Sequence, residues 1–313
     1  MAGLKELRTR IETIKSTQKI TSAMKMVAAS SLRKAQGLIA SSVPYRENIL
    51  SPLENVVSEF RTLEQNGTFV KWPRMIAGSE NDRTYLLLVF TSDRGLCGNF
   101  NASVAKVAAR RIEELQNAGK EVKVACIGRK GYSILKRRYA ANIVRDIDGI
   151  AKKGARYDES AVIANYAYDD FMMRNIDVCE AVYSEFHSAI NREIVVKQLL
   201  PLHFSERAEA GTEPVLVNGA AYEYEPYKME VLGQSLPLLY KASVFEAIIH
   251  SQASEHGARM TSMDNATRNA KDMISRLTLK YNRMRQTNIT TELIEIIAGA
   301  EAPVSYTHLT LPT

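Results

Sequence analysis

The chain has 313 residues, of which 45% are hydrophobic, and a formal net charge of +6. This length allows one or two domains with a packed core. Three scattered cysteines, Cys97, Cys126 and Cys179, favour a reducing compartment and argue against a disulfide framework. The first ten residues lack a signal peptide's apolar segment, and the longest apolar run, Tyr85–Phe90, is too short to span a bilayer. We expect any membrane association to go through partners.

The N-terminal segment is typical of a long helix. Leu4–Gln36 contains no Gly and no Pro, and the helix is expected to start near Gly3 and to continue past Pro44 toward Arg61. One face carries apolar residues at 3-4-3 spacing: Leu4, Leu7, Ile11 and Ile14. A second apolar face, rotated by about half a turn at ~100° per residue, carries Ile20, Met24 and Val27. Two faces at different heights indicate either a slowly drifting coiled-coil seam or a shaft that other subunits partly enclose.

This first segment is also basic. Residues 1–36 hold eight basic side chains and two acidic ones, a surplus as large as that of the whole chain. A second basic stretch, Arg276–Arg285, contains no acid. Such helices present either a solvated face or a surface for an acidic partner, which can be nucleic acid, an anionic membrane or an acidic protein.

The middle of the chain alternates strands and helices. Strands are predicted at Thr84–Thr91, Glu121–Ile127, Val178–Phe186 and Glu193–Leu200, the last two forming a hairpin. Helices are predicted at Ala102–Ala118, Lys130–Tyr139 and Glu159–Arg174. Because strands alternate with helices, we expect a mostly parallel α/β sheet in a Rossmann-like domain over residues 80–204.

The segment 91–99, TSDRGLCGN, follows the first strand, where α/β folds place phosphate-binding loops. Its glycines match neither of the common phosphate-loop patterns. The alternative interpretation is a tight turn in which Gly95 and Gly98 take unusual backbone angles and Cys97 is buried. No His, Cys, Asp or Glu pattern predicts a catalytic, cofactor or metal site, so we expect no enzyme and no cofactor.

The C-terminal segment predicts a second long helix, over residues 228–300. Its run Leu238–Gly299, which contains no Gly between its ends apart from Gly257 and no Pro, could reach on the order of 90 Å. It carries a 3-4 apolar repeat at Met260, Met263, Thr267, Ala270, Ile274, Leu277, Tyr281 and Met284. We expect it to pair antiparallel with the N-terminal helix (residues 1–61), burying Leu7, Ile11, Ile274 and Leu277. Near its end, apolar residues spread around the helix, which predicts enclosure by other chains: Ile289, Leu293, Ile294, Ile296 and Ile297.

Three blocks of this chain closely resemble the gamma subunits of F-type ATP synthases. They are Leu4–Gln36 with TQKIT and AMKMVAAS, Thr91–Asn101 with TSDRGLCGNFN, and Glu255–Ala300 with NRMRQ and ELIEI. The resemblance covers about residues 1–302. It implies a rotor of two paired helices inside a ring of three alpha and three beta subunits, with the α/β domain at the foot, near an epsilon subunit and the membrane c-ring. It also implies that the chain holds no catalytic residue.

The resemblance assigns contacts to particular residues. It implies that Met24 and Lys25, with Arg259 nearby, face acidic levers of the beta subunits. Arg285, Gln286 and Thr290 resemble a catch that bonds to beta-subunit loops. It places Tyr222 and Glu225 in a foot contact with the c-ring or epsilon. The implied location is the cytoplasmic face of a bacterial inner membrane.

Two departures and two alternatives remain. No cysteine-bearing regulatory insertion is apparent, and residues 303–313 do not resemble the family, which suggests a non-native or disordered tail.

The alternatives are a nucleotide-binding α/β enzyme with helical arms and a basic coiled-coil protein that binds nucleic acid. Nucleic-acid binding of the second kind would weaken steeply with salt. The rotor interpretation requires neither ligand.

Overall fold

The computed structural model describes residues 2–79, 81–150, 154–189, 191–205 and 223–301. The chain forms two compact units. One, which we call the helical unit, combines Met1–Met24 with Met263–Thr313. The other, the sheet unit, consists of Lys25–Ser262. Two long helices, α1 (Ala2–Gln65) and α6 (Lys228–Glu301), contribute residues to both units.

In the helical unit, α1 and α6 pair in antiparallel orientation. Gly3 lies beside Met284, whose methyl carbon is 3.1 Å from the position a Cβ would take. Further along α1, the Thr21 hydroxyl lies 2.8 Å from that of Thr267. Residue numbers therefore rise along one helix as they fall along the other, which confirms the predicted antiparallel pairing.

The seam between these helices is only partly covered. Ile11, Met263 and Ala270 are buried, whereas Leu7, Ile274 and Leu277 are half-buried. The expected full burial of these last three residues is therefore wrong. The reason is geometric, because a pair of helices covers only one side of each seam residue and leaves the other open.

The sheet unit contains a five-stranded sheet in the order β3-β2-β1-β4-β5. The strands are β1 (Thr84–Phe90), β2 (Glu121–Ile127), β3 (Ile143–Ile147), β4 (Val178–Phe186) and β5 (Arg192–Leu200). The first four are parallel, and β5 pairs antiparallel with β4. The predicted mostly parallel sheet and hairpin are confirmed.

Both faces of the sheet are buried at its central strand β1, as the continuous apolar sequence of this strand requires. Leu87 and Val89 face a core that includes residues of α3 (Phe100–Asn117) and α4 (Arg129–Tyr139). Leu86, Leu88 and Phe90 face the second core, which includes residues of α5 (Tyr157–Met172) and the middle stretches of α1 and α6.

Helices α1 and α6 are antiparallel in the sheet unit as well. Lys228 Nζ donates to Glu59 at 2.6 Å, and further along the pair Ala35 packs near Ala253.

Some elements were not predicted. They are strand β3 and a short helix, α2 (Arg74–Ala77). Helix α1 continues four residues beyond the predicted Arg61, with Pro44 and Pro52 inside it, and α6 accommodates Pro237. No helix among the described residues is long and apolar enough to span a membrane.

Candidate functional site

The loop between β1 and α3, residues 91–99, is held by buried polar contacts within the sheet unit. The Ser92 amide donates to Asn101 Oδ1 at 2.9 Å, and Asn101 Nδ2 donates to Ser92 Oγ at 2.8 Å. Asn101 Nδ2 also lies 3.2 Å from the sulfur of Cys97, which is 1% exposed. The prediction of a buried Cys97 is confirmed, and these polar groups bond to one another.

The same loop places a carboxylate at the start of the neighbouring helix α4. Asp93 accepts hydrogen bonds from the Arg129 amide at 3.1 Å and the Gly149 amide at 2.9 Å. The first amide belongs to the N-terminus of α4, where an anion would otherwise bind. The protein's own carboxylate occupies that position and would repel a phosphate.

The backbone of the loop differs from the expectation at one glycine. Gly98 has a φ of +58° and lies so close to Ser262 that a Cβ would be 2.7 Å from its hydroxyl oxygen. Gly95, however, does not adopt a positive φ; Leu96 does, at 65°. The unusual angle predicted for Gly95 is therefore wrong, and a 62% exposed leucine takes the left-handed conformation instead.

Arg259, predicted to contact a beta-subunit lever, bonds within the sheet unit. Its Nη1 lies 2.7 Å from Glu255 Oε1 one turn earlier on α6. Its Nη2 donates to the carbonyl oxygens of Arg94 at 3.4 Å and Gly95 at 3.3 Å. Because its side chain is 13% exposed, only a small part of Arg259 is accessible to another chain.

Met24 and Lys25, the other lever residues, are half-buried positions of α1. Met24 belongs to the helical unit and Lys25 to the sheet unit. Near them, two residues of the second apolar face are clearly exposed, Ile20 at 60% and Val27 at 67%. Exposed apolar side chains of this size on a helix are candidates for contact with another protein.

The catch residues lie together on α6 in the helical unit. Arg285, Gln286 and Thr290 are all exposed. Thr290 Oγ1 donates to the Gln286 backbone carbonyl at 2.9 Å, one turn earlier on the helix. The structure therefore brings this predicted set together within about one and a half helical turns.

Beyond the catch, α6 carries an exposed apolar face. Its residues are between 48% and 67% exposed: Ile289, Leu293, Ile294, Ile296 and Ile297. At ~100° per residue they span an arc of roughly 160°, while Glu292 and Glu295 lie outside it. The expected all-round apolar end is thus a broad face. A contiguous apolar face that no described residue covers is typical of a protein interface.

The foot contact is described only in part. Glu225 is exposed just before the start of α6 and precedes a cis peptide bond to Pro226. Tyr222 lies outside the described residues, as does the predicted tail. No group of three or more His, Cys, Asp or Glu side chains within the described ranges could hold a metal ion.

Two residues beside Arg259 were not singled out from the sequence. Burial raises the pKa of the Glu255 carboxyl, against the opposing effect of the Arg259 guanidinium. Burial, followed by the positive charge of Arg259, lowers the pKa of His256 to about 4. The only sequence signal for Glu255 and His256 was their place in the third block that resembles the family, four and three residues before Arg259.

Comparisons with known proteins agree with the resemblance. A family profile described as ATP synthase matches residues 3–302. The ATP synthase gamma chain of Paramagnetospirillum magneticum is 43% identical over 303 residues, which cover 96% of this chain and 100% of the relative.

Solved structures give the same fold. A chain in the central stalk and c-ring of the Tetrahymena thermophila mitochondrial ATP synthase is 26% identical with a TM-score of 0.56, covering 79% of this chain and 99% of that one. A chain in the Euglena gracilis mitochondrial ATP synthase has a TM-score of 0.61, with 99% of both chains covered. At 17% identity, that second similarity concerns the fold alone.

Proposed function

The chain belongs to the family of ATP synthase gamma chains, and on this premise we propose that it is the central rotor shaft of the F1 sector. The observation that carries this proposal is the 43% identity over the full length of a gamma chain. The exposed apolar face at the end of α6 supports it, because such a face is typical of an interface with another protein.

In this role the chain couples rotation of a proton-driven c-ring to conformational changes in catalytic beta subunits and performs no chemistry itself. Its partners are the alpha and beta subunits of the F1 ring, an epsilon subunit and the c-ring. The Tetrahymena structure, which contains a central stalk with a c-ring, supports the last of these. The bacterial relative supports a location on the cytoplasmic face of an inner membrane.

Three contact sets follow from this role. Met24 and Lys25 lie at the level of the beta-subunit levers. Arg285, Gln286 and Thr290 form the catch, where the exposed planar guanidinium of Arg285 can bind two acceptors at once. Glu225, with Tyr222, forms the foot contact.

The catch can be tested in a reconstituted complex. The chain is purified with an alpha/beta ring, and the ATPase rate is measured for Arg285→Ala and for Lys280→Ala. Lys280 is a matched control, because it is an exposed cation on the same helix. Loss of a charge-assisted hydrogen bond costs about 1.5–3 kcal/mol. If the bond forms in the rate-limiting step, we expect Arg285→Ala to lower turnover by a factor of about 10 to 150, with assembly intact and the control near wild type.

Two outcomes would contradict the proposal at different levels. Normal turnover of an assembled Arg285→Ala complex would exclude the catch assignment but leave the rotor role intact. Failure of the wild-type chain to join the ring would exclude the rotor role. Titration calorimetry separates the enzyme alternative, since a micromolar ATP site in the isolated chain that Gly95→Val removes would favour it.

A further inference from the structure

Arg259 directs both terminal guanidinium nitrogens toward its own chain. One binds the Glu255 carboxylate at 2.7 Å, and the other reaches two consecutive backbone carbonyls, those of Arg94 and Gly95. The two carbonyls lie 165 and 164 residues away in the sequence. The contact therefore ties the β1–α3 loop to the side of α6.

Glu255, one turn before Arg259 on α6, is the acidic partner of the Arg259 guanidinium. Its side chain is 19% exposed, and an i to i+4 pairing on one helix keeps the guanidinium in a fixed orientation. A buried carboxylate with raised pKa is costly to keep ionised, so its pairing with Arg259 is the contact that offsets the cost. Only a small part of either side chain is therefore accessible to another subunit.

The segment that Arg259 holds contains the strained part of the loop. Leu96 has a φ of 65°, a left-handed backbone conformation that is unfavourable for any residue with a Cβ. Its side chain is 62% exposed. On one side of it, Arg259 holds the Arg94 and Gly95 carbonyls; on the other, Gly98 packs closely against Ser262. Such a conformation persists only where neighbouring contacts determine it.

We propose that Arg259 and Glu255 are positioning residues, which fix the β1–α3 loop on α6 so that Leu96 is held outward in its strained conformation. Arg259 then influences turnover through the loop and not by reaching a beta subunit itself. The intramolecular part of this inference stands on the contacts alone, whereas its effect on turnover rests on the proposed rotor function.

The first test measures the loop directly. Hydrogen–deuterium exchange of a peptide covering residues 91–101 is followed in the full chain. We expect exchange to rise about tenfold or more in Arg259→Ala and Glu255→Ala, because a charge-assisted contact is lost. Arg259→Lys keeps the charge but not the fork that reaches Glu255 and the carbonyls together, so we expect a similar rise with the fold retained.

Arg268→Ala is the matched control. Arg268 forms an i to i+4 ion pair with Asp264 on the same helix, but its side chain is 69% exposed. We expect exchange of the 91–101 peptide to remain at the wild-type rate in this variant. Unchanged exchange in both Arg259→Ala and Arg259→Lys would overturn the proposal.

The second test measures ATPase turnover of the assembled alpha/beta complex. If Arg259 acts through the loop, Arg259→Lys and Leu96→Ala lower turnover and the double variant is no worse than the stronger single one. Glu255→Ala lowers turnover too, because it removes the carboxylate that orients the Arg259 guanidinium. Additive effects of Arg259→Lys and Leu96→Ala, with Glu255→Ala silent, would indicate direct contact by Arg259 and overturn the proposal. A wild-type chain that fails to assemble would instead refute the rotor function and leave the exchange result standing.

Discussion

The Thr21 and Thr267 hydroxyl oxygens lie 2.8 Å apart across the antiparallel pair of α1 and α6 in the helical unit. Each also has a carbonyl acceptor in its own helix, Gln18 at 3.1 Å for Thr21 and Met263 at 2.7 Å for Thr267. A hydroxyl has one proton to donate, so only one of the two can bridge the helices while the other bonds to its own carbonyl. This pair is a polar contact within a seam that is otherwise mostly apolar, and it fixes the register of the two helices.

We expect Thr267→Val to reduce the free energy of unfolding by about 1 kcal/mol, because the bridging hydrogen bond is lost. In a chain that already carries Thr21→Val, the same substitution should cost less, giving a coupling energy of about 0.5–1 kcal/mol in a double-mutant cycle. Urea denaturation of the four chains measures this. Thr287→Val is the control, since Thr287 is exposed and its hydroxyl donates to the Arg283 carbonyl of its own helix at 3.1 Å. A coupling energy of zero would show that the two hydroxyls do not interact.

The apolar part of the seam can be tested at Leu277. Leu277 is half-buried, whereas Leu279 on the same helix is 68% exposed. A fully buried leucine loses 2–5 kcal/mol on truncation to alanine, so we expect about 1–3 kcal/mol for Leu277→Ala. The thermal midpoint of the isolated chain should fall by several degrees, while Leu279→Ala leaves it nearly unchanged. Equal shifts for the two variants would show that α6 does not pack through the Leu277 side.

The sequence predicted most elements of this fold because their patterns are strong. β1 is a continuous apolar run that is buried along most of its length, β2 ends in four buried apolar residues, and the two long helices carry extended apolar repeats. Strand β3 was missed for the opposite reason. Its sequence, IVRDI, places two charged residues next to each other at the exposed edge of the sheet, so neither alternation nor an apolar run marks it.

The contact residues show a second limit of sequence analysis. The exposed catch on α6 was predictable, since Arg285, Gln286 and Thr290 lie within one continuous helical segment. The inward bonding of Arg259 was not, because its acceptors lie in a loop more than 160 residues earlier in the chain. A contact of this kind depends on how the sheet unit folds as a whole, and no local periodicity encodes it.

The end of the chain gives a prediction about assembly. The family match stops at residue 302, and Pro303–Thr313 contains no charged side chain other than a protonated His308. Pro303 also disfavours continuation of a helix. We expect truncation after Ala302 to leave assembly with an alpha/beta ring and the ATPase rate unchanged or slightly improved. Purification of both forms with the ring, followed by comparison of turnover, measures this; loss of assembly would show that the segment is a structural part of the protein.

The stability of the sheet unit should fall at mildly acidic pH because of His256. Burial, with a smaller contribution from the Arg259 charge, lowers the pKa of His256 to about 4. Its Nδ1 is buried and finds no hydrogen-bond partner among the residues that the structure describes. A histidine in an unfolded chain has a pKa of about 6.5. Between these two values the unfolded chain binds a proton that the folded chain does not, so stability is present above pH of about 6.5 and is lost as the pH falls toward about 4.

We therefore expect the wild-type chain to lose about 1–2 kcal/mol more than His256→Gln between pH 7.5 and pH 5. Glutamine is a suitable replacement because it has a similar size and does not titrate. Urea midpoints of both chains at the two pH values provide the measurement. His187→Gln is the control for removing a histidine, since its side chain is 45% exposed, and this variant should follow the wild-type pH dependence. If wild type and His256→Gln lose the same stability, His256 accepts a proton as readily in the folded chain as in the unfolded one, and the lowered pKa is wrong.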